Sequence, residues 1–261
     1  MPELALRTVE VTRYVVPLRE GGSLPALVEA DDGFLYVLKF RGAGQGLKAL
    51  IAELVVGELA RQLGLRMPEL VFVNLDEAFG RTEPDEEIQD LLRFSTGLNL
   101  GLHFLAGAAT FDPLLLDVEP RLASLIVWLD SLTLNVDRTA RNTNLLMWHR
   151  ELWLIDHGAA LYVHHAGAGW AAPKPRPFPQ IKDHVLLPQA TELRWADAEG
   201  HARLTPEVIE AVVALVPDDW LQEPDVSPEE QRAQYVQFIT ARLADSATFV
   251  AEAETARHAL V

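Results

Sequence analysis

The stretch NVDRTARNTNLLMWHRELWLIDHG, from Asn135 to Gly158, constrains the fold more than any other part of the chain. It joins a polar loop, dense in Asp, Asn and Arg, to two short apolar runs around a polar turn. Apolar runs of this length on either side of a turn fold back as a strand pair. Such a hairpin returns Asn142, just before its first strand, and Asp156, just after its second, to the same end. Within the loop Asp137 and Asn142 form the pattern Asp-x-x-x-x-Asn, and Asp156-His157-Gly158 closes the second strand as Asp-x-Gly. Each aspartate alone could cap a helix or fill a turn. Together they have the layout of a phosphoryl-transfer site. One aspartate orients a hydroxyl there, while an asparagine and a second aspartate offer oxygen to Mg²⁺.

Upstream, Lys39 sits in FLYVLKF, where every other residue is apolar or aromatic. A lysine there either snorkels from an edge strand or is buried and must be paired. Glu53, on the Leu50/Leu54 side of the next helical segment, is a candidate partner. A strand lysine held by a helix glutamate is the device that aims a cation at nucleotide phosphates. Gly21, Gly22 and Ser23 lie between two strand-like segments. They either make a plain turn or expose backbone N–H groups to phosphates. Other polar residues carry less. His164 and His165 are adjacent, and in a strand they would face opposite sides. Arg138 and Arg141 either contact phosphate or anchor the loop, with anchoring preferred; His184 either meets substrate or packs, with packing preferred; Trp128, Trp148 and Trp153 read as core.

The order of elements is that of an α+β chain. Strand patterns occupy 7–20 and 26–40, with a DDG turn at 31–33, and recur at 69–75. A helical pattern runs from Gly46 to Gly64, and an acidic loop after residue 75 leads into another helix. GLNLGLHFLAG (97–107) reads as a strand followed by a linker. Helical patterns follow at 119–134, 204–216, 228–243 and 245–258, interrupted by the strand pair at 143–163 and a Pro-rich stretch at 170–180. This predicts two lobes with a cleft between them, a β-rich N-lobe (1–105) and a helical C-lobe (106–261).

Charge narrows the partners. With 22 basic against 38 acidic residues, a net charge of −16, the chain has no field for nucleic acid. A nucleotide would have to be met by local basic groups and divalent cations. No apolar run reaches the ~18–20 residues of a membrane span. The first residues lack a signal-peptide layout, and there is no cysteine. A cytoplasmic location without thiolate metal sites or a membrane partner is expected.

The segments YVLKFRGAGQGLKALIAELVVGELARQLGLRMPE, NVDRTARNTNLL and LWLIDHG resemble the bacterial HipA-like kinase family. FPQIKDHVLLP resembles the segment that follows Asp-x-Gly in that family, so the resemblance covers most of residues 10–190. DRTARN is also similar to the Asp-Arg motif of phosphoinositide lipid kinases. The resemblance implies a bilobal protein-kinase-like fold that uses ATP and Mg²⁺. It makes Lys39 and Glu53 the phosphate-aiming pair, Asp137 the catalytic aspartate, and Asn142 and Asp156 the metal ligands. His157 stands where phenylalanine is common. The expected activity is transfer of the ATP γ-phosphate to a hydroxyl, with a protein as acceptor and a small molecule as the alternative. A nucleotide-binding pseudokinase and an AMP transferase are the other readings. Adenine is expected against Leu100–Leu105, with Leu102 and His103 at the contact and Val28 and Leu38 covering its faces.

Overall fold

The computed structural model describes residues 4–18, 24–44, 46–81, 85–167, 169–172 and 177–260. Strands β1 (Thr8–Pro17), β2 (Ala26–Ala30), β3 (Leu35–Lys39), β4 (Leu70–Leu75) and β5 (Gly97–His103) close into a barrel in the order β1-β2-β3-β5-β4. All neighbours are antiparallel except β1 and β4, which run parallel. Alternation along each strand decides which side chains fill the barrel: Val28 from β2, Tyr36 and Leu38 from β3, Val71 and Val73 from β4. At Gly101 on β5 a Cβ would fall 2.5 Å from Val73 Cγ2, so only glycine fits beneath that strand crossing. Helix α2 (Glu86–Phe94), capped by the Asp85 carboxylate, covers one end of the barrel with Ile88 and Leu92.

Helix α1 (Gly46–Gln62) is buried on every side from Leu50 to Ala60 and shows no polar face. A helix of that kind belongs between two bodies rather than on a surface. It lies between the barrel and the helical half, and its apolar residues belong to the core of the latter. That half comprises α3 (Pro120–Thr133), α4 (Leu193–Arg203), α5 (Pro206–Ala214), α6 (Pro228–Ala244) and α7 (Ser246–His258). A small sheet, β6 (Ala109–Thr110), β7 (Leu145–Trp148) and β8 (Glu151–Leu154), faces the barrel side. The barrel and the helical half face each other across a cleft. Among the described residues, no helix is long and apolar enough to cross a membrane.

Several sequence expectations need correction. The strand pair stops at Leu154, because Asp156 and Leu161 adopt φ of 55° and 53°, a backbone no strand continues. His164 and His165 therefore sit in a 3-10 turn, Tyr162–His165, with His164 inside and His165 outside. Helix α4 was not legible, since only Leu193, Ala196 and Gly200 are buried and the other positions mix charged residues with Trp195 and alanines in no clear apolar stripe. Trp128 is core, but Trp148 and Trp153 are half-buried and pack edge-on at 5.2 Å. Val28 and Leu38 cannot cover a ligand in the cleft, because both are fully enclosed within the barrel. Their expected place is off by one residue in the strand register.

Gly200 on α4 crosses directly over Trp128 on α3, where a Cβ would lie 2.2 Å from the indole. The ring cannot retreat. Its Nε1 donates to Asp197 Oδ1 at 2.8 Å and its edge packs on Phe249. Gly200→Ala should lower the unfolding free energy by about 1–3 kcal/mol, despite the ~1 kcal/mol by which alanine is favoured in a helix. Urea denaturation measures this; an unchanged or higher stability would contradict the crossing.

Candidate active site

The cleft between the halves has a volume of about 610 Å³. Val37 from β3 lines one wall, Leu146 and Ile155 line the facing one, and Leu102 and His103 edge it. Lys39 is on the same face of β3 as Val37, two residues away, and reaches the inner end of the cleft. There its ammonium meets Asp156 Oδ1 at 2.6 Å and Glu53 Oε2 at 3.3 Å. Burial works to lower the Lys39 pKa, but the charges of Glu53 and Asp156 outweigh it and hold the ammonium above its ordinary value. Burial also opposes ionisation of Asp156, and Lys39 overcomes it and keeps the carboxyl below its usual range. Glu53 is pushed upward by burial and by the neighbouring Asp156 charge. Its Oε2 also accepts the His157 backbone N–H at 2.9 Å, while Oε1 is buried without a partner.

The polar loop is built from the end of α3. Leu134 takes a left-handed conformation, φ 57°, which ends the helix. Asn135 then turns back, donating its side chain to Asp130 Oδ1 at 3.0 Å and accepting the Asp137 N–H at 3.2 Å. The Asp137 Oδ2 accepts from the side-chain amides of Asn142 at 2.8 Å and Asn144 at 3.1 Å. Asn144 also reaches the Asp156 carbonyl at 3.5 Å. Asn144 thus joins the two motifs and is the residue that sequence reasoning missed. Its signal was available as the third asparagine of the loop, since Asn tolerates the left-handed φ of 47° found there.

Beneath the loop is a buried ionic network. Arg138 and Asp130 are both fully enclosed and pair at 2.6 Å. Arg138 also donates to the Asn144 carbonyl and faces His157 Nδ1 at 3.2 Å. His184 Nδ1 accepts the Leu186 N–H, so its proton sits on Nε2, 2.9 Å from Asp130 Oδ2. Burial alone would raise the Asp130 pKa; Arg138 and His184 hold it well below the carboxylate range. Arg138 and His184 are therefore the loop anchor and packing residue that their sequence contexts suggest. Arg141, by contrast, is exposed. Gly21, Gly22 and Ser23 lie outside the described residues.

The HipA-like kinase family model matches residues 9–249. The chain belongs to that family. Among solved structures this HipA-like chain resembles the Helicobacter pylori proinflammatory kinase CtkA, with 14% identity and a TM-score of 0.56 over 97% of this chain and 100% of that one. It also aligns with a Golgi casein kinase at 12% identity and TM-score 0.49, covering 97% of this chain and 75% of the other. A Golgi casein kinase with Mn/ADP bound aligns at 14% identity and TM-score 0.45, over 92% and 73%. No curated protein sequence matches the chain. The likeness to CtkA carries the fold: this member of the HipA-like kinase family has the bilobal kinase architecture.

Two histidines beside the site make stability depend on pH. Burial, with help from Arg138, pushes His157 down to about 3. Burial, then His165 and Lys48, push His164 down to about 3. Both lie below the ordinary 6.5, so the unfolded chain binds more protons between those values. Their contribution is complete above pH 6.5 and is lost as pH falls. His164→Gln, which cannot charge, should flatten the fall in unfolding free energy between pH 6 and pH 4 by up to about 1.4 kcal/mol per pH unit. Denaturation series at several pH values read this slope; identical slopes would contradict the neutral, buried state of His164.

Proposed function

We propose that the chain is an ATP- and Mg²⁺-dependent phosphotransferase that moves the γ-phosphate of ATP to a hydroxyl, with a protein serine or threonine as acceptor. One observation carries this reading. Lys39 on β3 and Glu53 on α1 meet Asp156 from the helical half at the inner end of the cleft, and Asn144 ties the Asp156 backbone to Asp137, which also holds Asn142.

The cleft fits a nucleotide. Its volume of about 610 Å³ is within the range of small-molecule sites. The apolar faces of Val37, Leu146 and Ile155 suit a flat base, and Leu102 and His103 border its edge. The His103 ring turns towards Phe34 and Tyr36, so its share of that contact falls to the backbone. Asp156 and Asn142 offer hard oxygen donors of the kind Mg²⁺ prefers. Asn142 presents its amide nitrogen to Asp137, which leaves the side-chain carbonyl to face a cation. The buried, unpartnered Glu53 Oε1 fits the same picture. When Asp156 turns to a cation, Lys39 keeps a carboxylate beside it.

The roles follow from these contacts. Lys39, aimed by Glu53, supplies positive charge to the phosphate oxygens. Bound Mg²⁺ supplies further neutralisation of the phosphates when held by Asp156 and Asn142. Asp137 has one oxygen fixed by two amides and uses the other to orient the acceptor hydroxyl and receive its proton. Asn144 holds Asp137 and the Asp156 backbone in mutual register.

Asp137→Ala should cut γ-phosphate turnover by a factor on the order of 10² to 10⁴, with nucleotide affinity nearly unchanged. Labelled ATP with Mg²⁺, in a lysate freed of small molecules, is the assay. Label on a protein with wild type only supports a protein acceptor. No label with either protein, with ATP binding confirmed separately, would move the acceptor to a small molecule, and wild-type turnover retained by Asp137→Ala would overturn the assignment.

A further inference from the structure

Lys48 breaks a local rule. It is the third residue of α1, whose first turn has no acidic side chain, and a cation there opposes the helix dipole. A residue chosen against its local setting is compensated elsewhere in the fold. Lys48 Nζ donates to the His164 carbonyl and pairs with Glu223 Oε1 at 2.8 Å. Both partners come from the helical half, far away in sequence.

The Glu223 side is built to hold still. Residues 218–223 cross from the helical half to the barrel, and Trp220 is buried where they land. Its Nε1 donates to the Leu98 carbonyl at 3.1 Å and its ring meets Phe72 edge-on at 5.6 Å. The buried Gln231 side chain fixes the crossing from behind. Its Oε1 accepts the Glu223 N–H at 3.3 Å, and its Nε2 donates to the Leu221 and Val226 carbonyls at 3.2 and 2.9 Å.

Lys48 and Glu53 share one helix. At 1.5 Å rise per residue their attachments are about 7.5 Å apart along the axis. Glu53 binds the His157 N–H and Lys48 binds the His164 carbonyl. The buried stretch of α1 is held by packing from Leu50 onward; the Lys48 and Glu53 attachments add polar contacts that fix the rotation and tilt of its first turns against the segment after Asp156.

We propose that Lys48 and Glu223 are positioning residues for phosphoryl transfer, locking α1 so that Glu53 stays against Lys39. The inference rests on the phosphotransferase reading. It gives the chain an aligned Lys39–Glu53 pair through an ion pair within the fold.

The experiment compares wild type, Lys48→Met, Lys48→Arg and Glu223→Gln. Two readouts are used: hydrogen exchange at the His157 amide, and kcat and KM for ATP·Mg²⁺ per folded molecule. Lys48→Met should speed His157 exchange by about tenfold or more and lower kcat by about tenfold, while KM stays within about twofold. Glu223→Gln should fall between it and wild type, and Lys48→Arg should restore both readouts. Unchanged His157 exchange in Lys48→Met, or unchanged kcat where wild type is active, would overturn the proposal. A wild type without turnover would sink the phosphotransferase reading, and the exchange comparison would still decide whether Lys48 locks α1.

Discussion

One ammonium group ties the molecule together. Lys39 Nζ, at the end of a barrel strand, is shared between Glu53 on α1 and Asp156 beyond β8. A buried cation with a missing partner costs about 3–5 kcal/mol. The barrel, α1 and the helical half are therefore held to one relative arrangement wherever that charge is satisfied. Burial acts against every member of the cluster: the two carboxylates outweigh it for Lys39 and Lys39 outweighs it for Asp156, while Glu53, beside the Asp156 charge, stays pushed upward.

For Asp156 to arrive at that point, the segment before it must be rigid. The Asp130–Arg138 pair provides the foundation, with His157 and His184 kept neutral around it. The Arg138 guanidinium spans from α3 to the Asn144 carbonyl and the His157 ring, so one side chain sets the height of both motifs. Asn144 and Asp156 accept left-handed backbone, φ 47° and 55°. Such positions persist only where surrounding contacts over-determine them, and they recur where geometry serves function. The resulting loop presents Asp137 with one oxygen already committed.

Much of this was legible because its signals are local. Asp-x-x-x-x-Asn and Asp-x-Gly around an apolar hairpin carry their own geometry. Lys39 in an apolar strand demanded a partner, and Glu53 was the first of two acidic residues in the next helix. The register of the cleft wall was also available but missed. Once Lys39 faces the cleft, a period of two puts Val37 beside it and Leu38 in the barrel. Other features could not be read. Asp130 and His184 are 54 residues apart, and nothing local announces their contact. The crossing around Trp220 lies in VPDDWLQEPDVSP, which has the composition of a loop. Its meaning comes only from the strand carbonyl and aromatic ring that it meets.

In the phosphotransferase we propose, Asp156 would hold the cation of a metal-bound nucleotide and Lys39 would face its phosphates. Calorimetric titration of ATP with and without Mg²⁺, on wild type and Asp156→Asn, tests it most directly. Mg²⁺ should tighten ATP binding to wild type on the order of tenfold or more, and Asp156→Asn should lose that gain while still binding the nucleotide. An equal gain in both proteins would contradict the account.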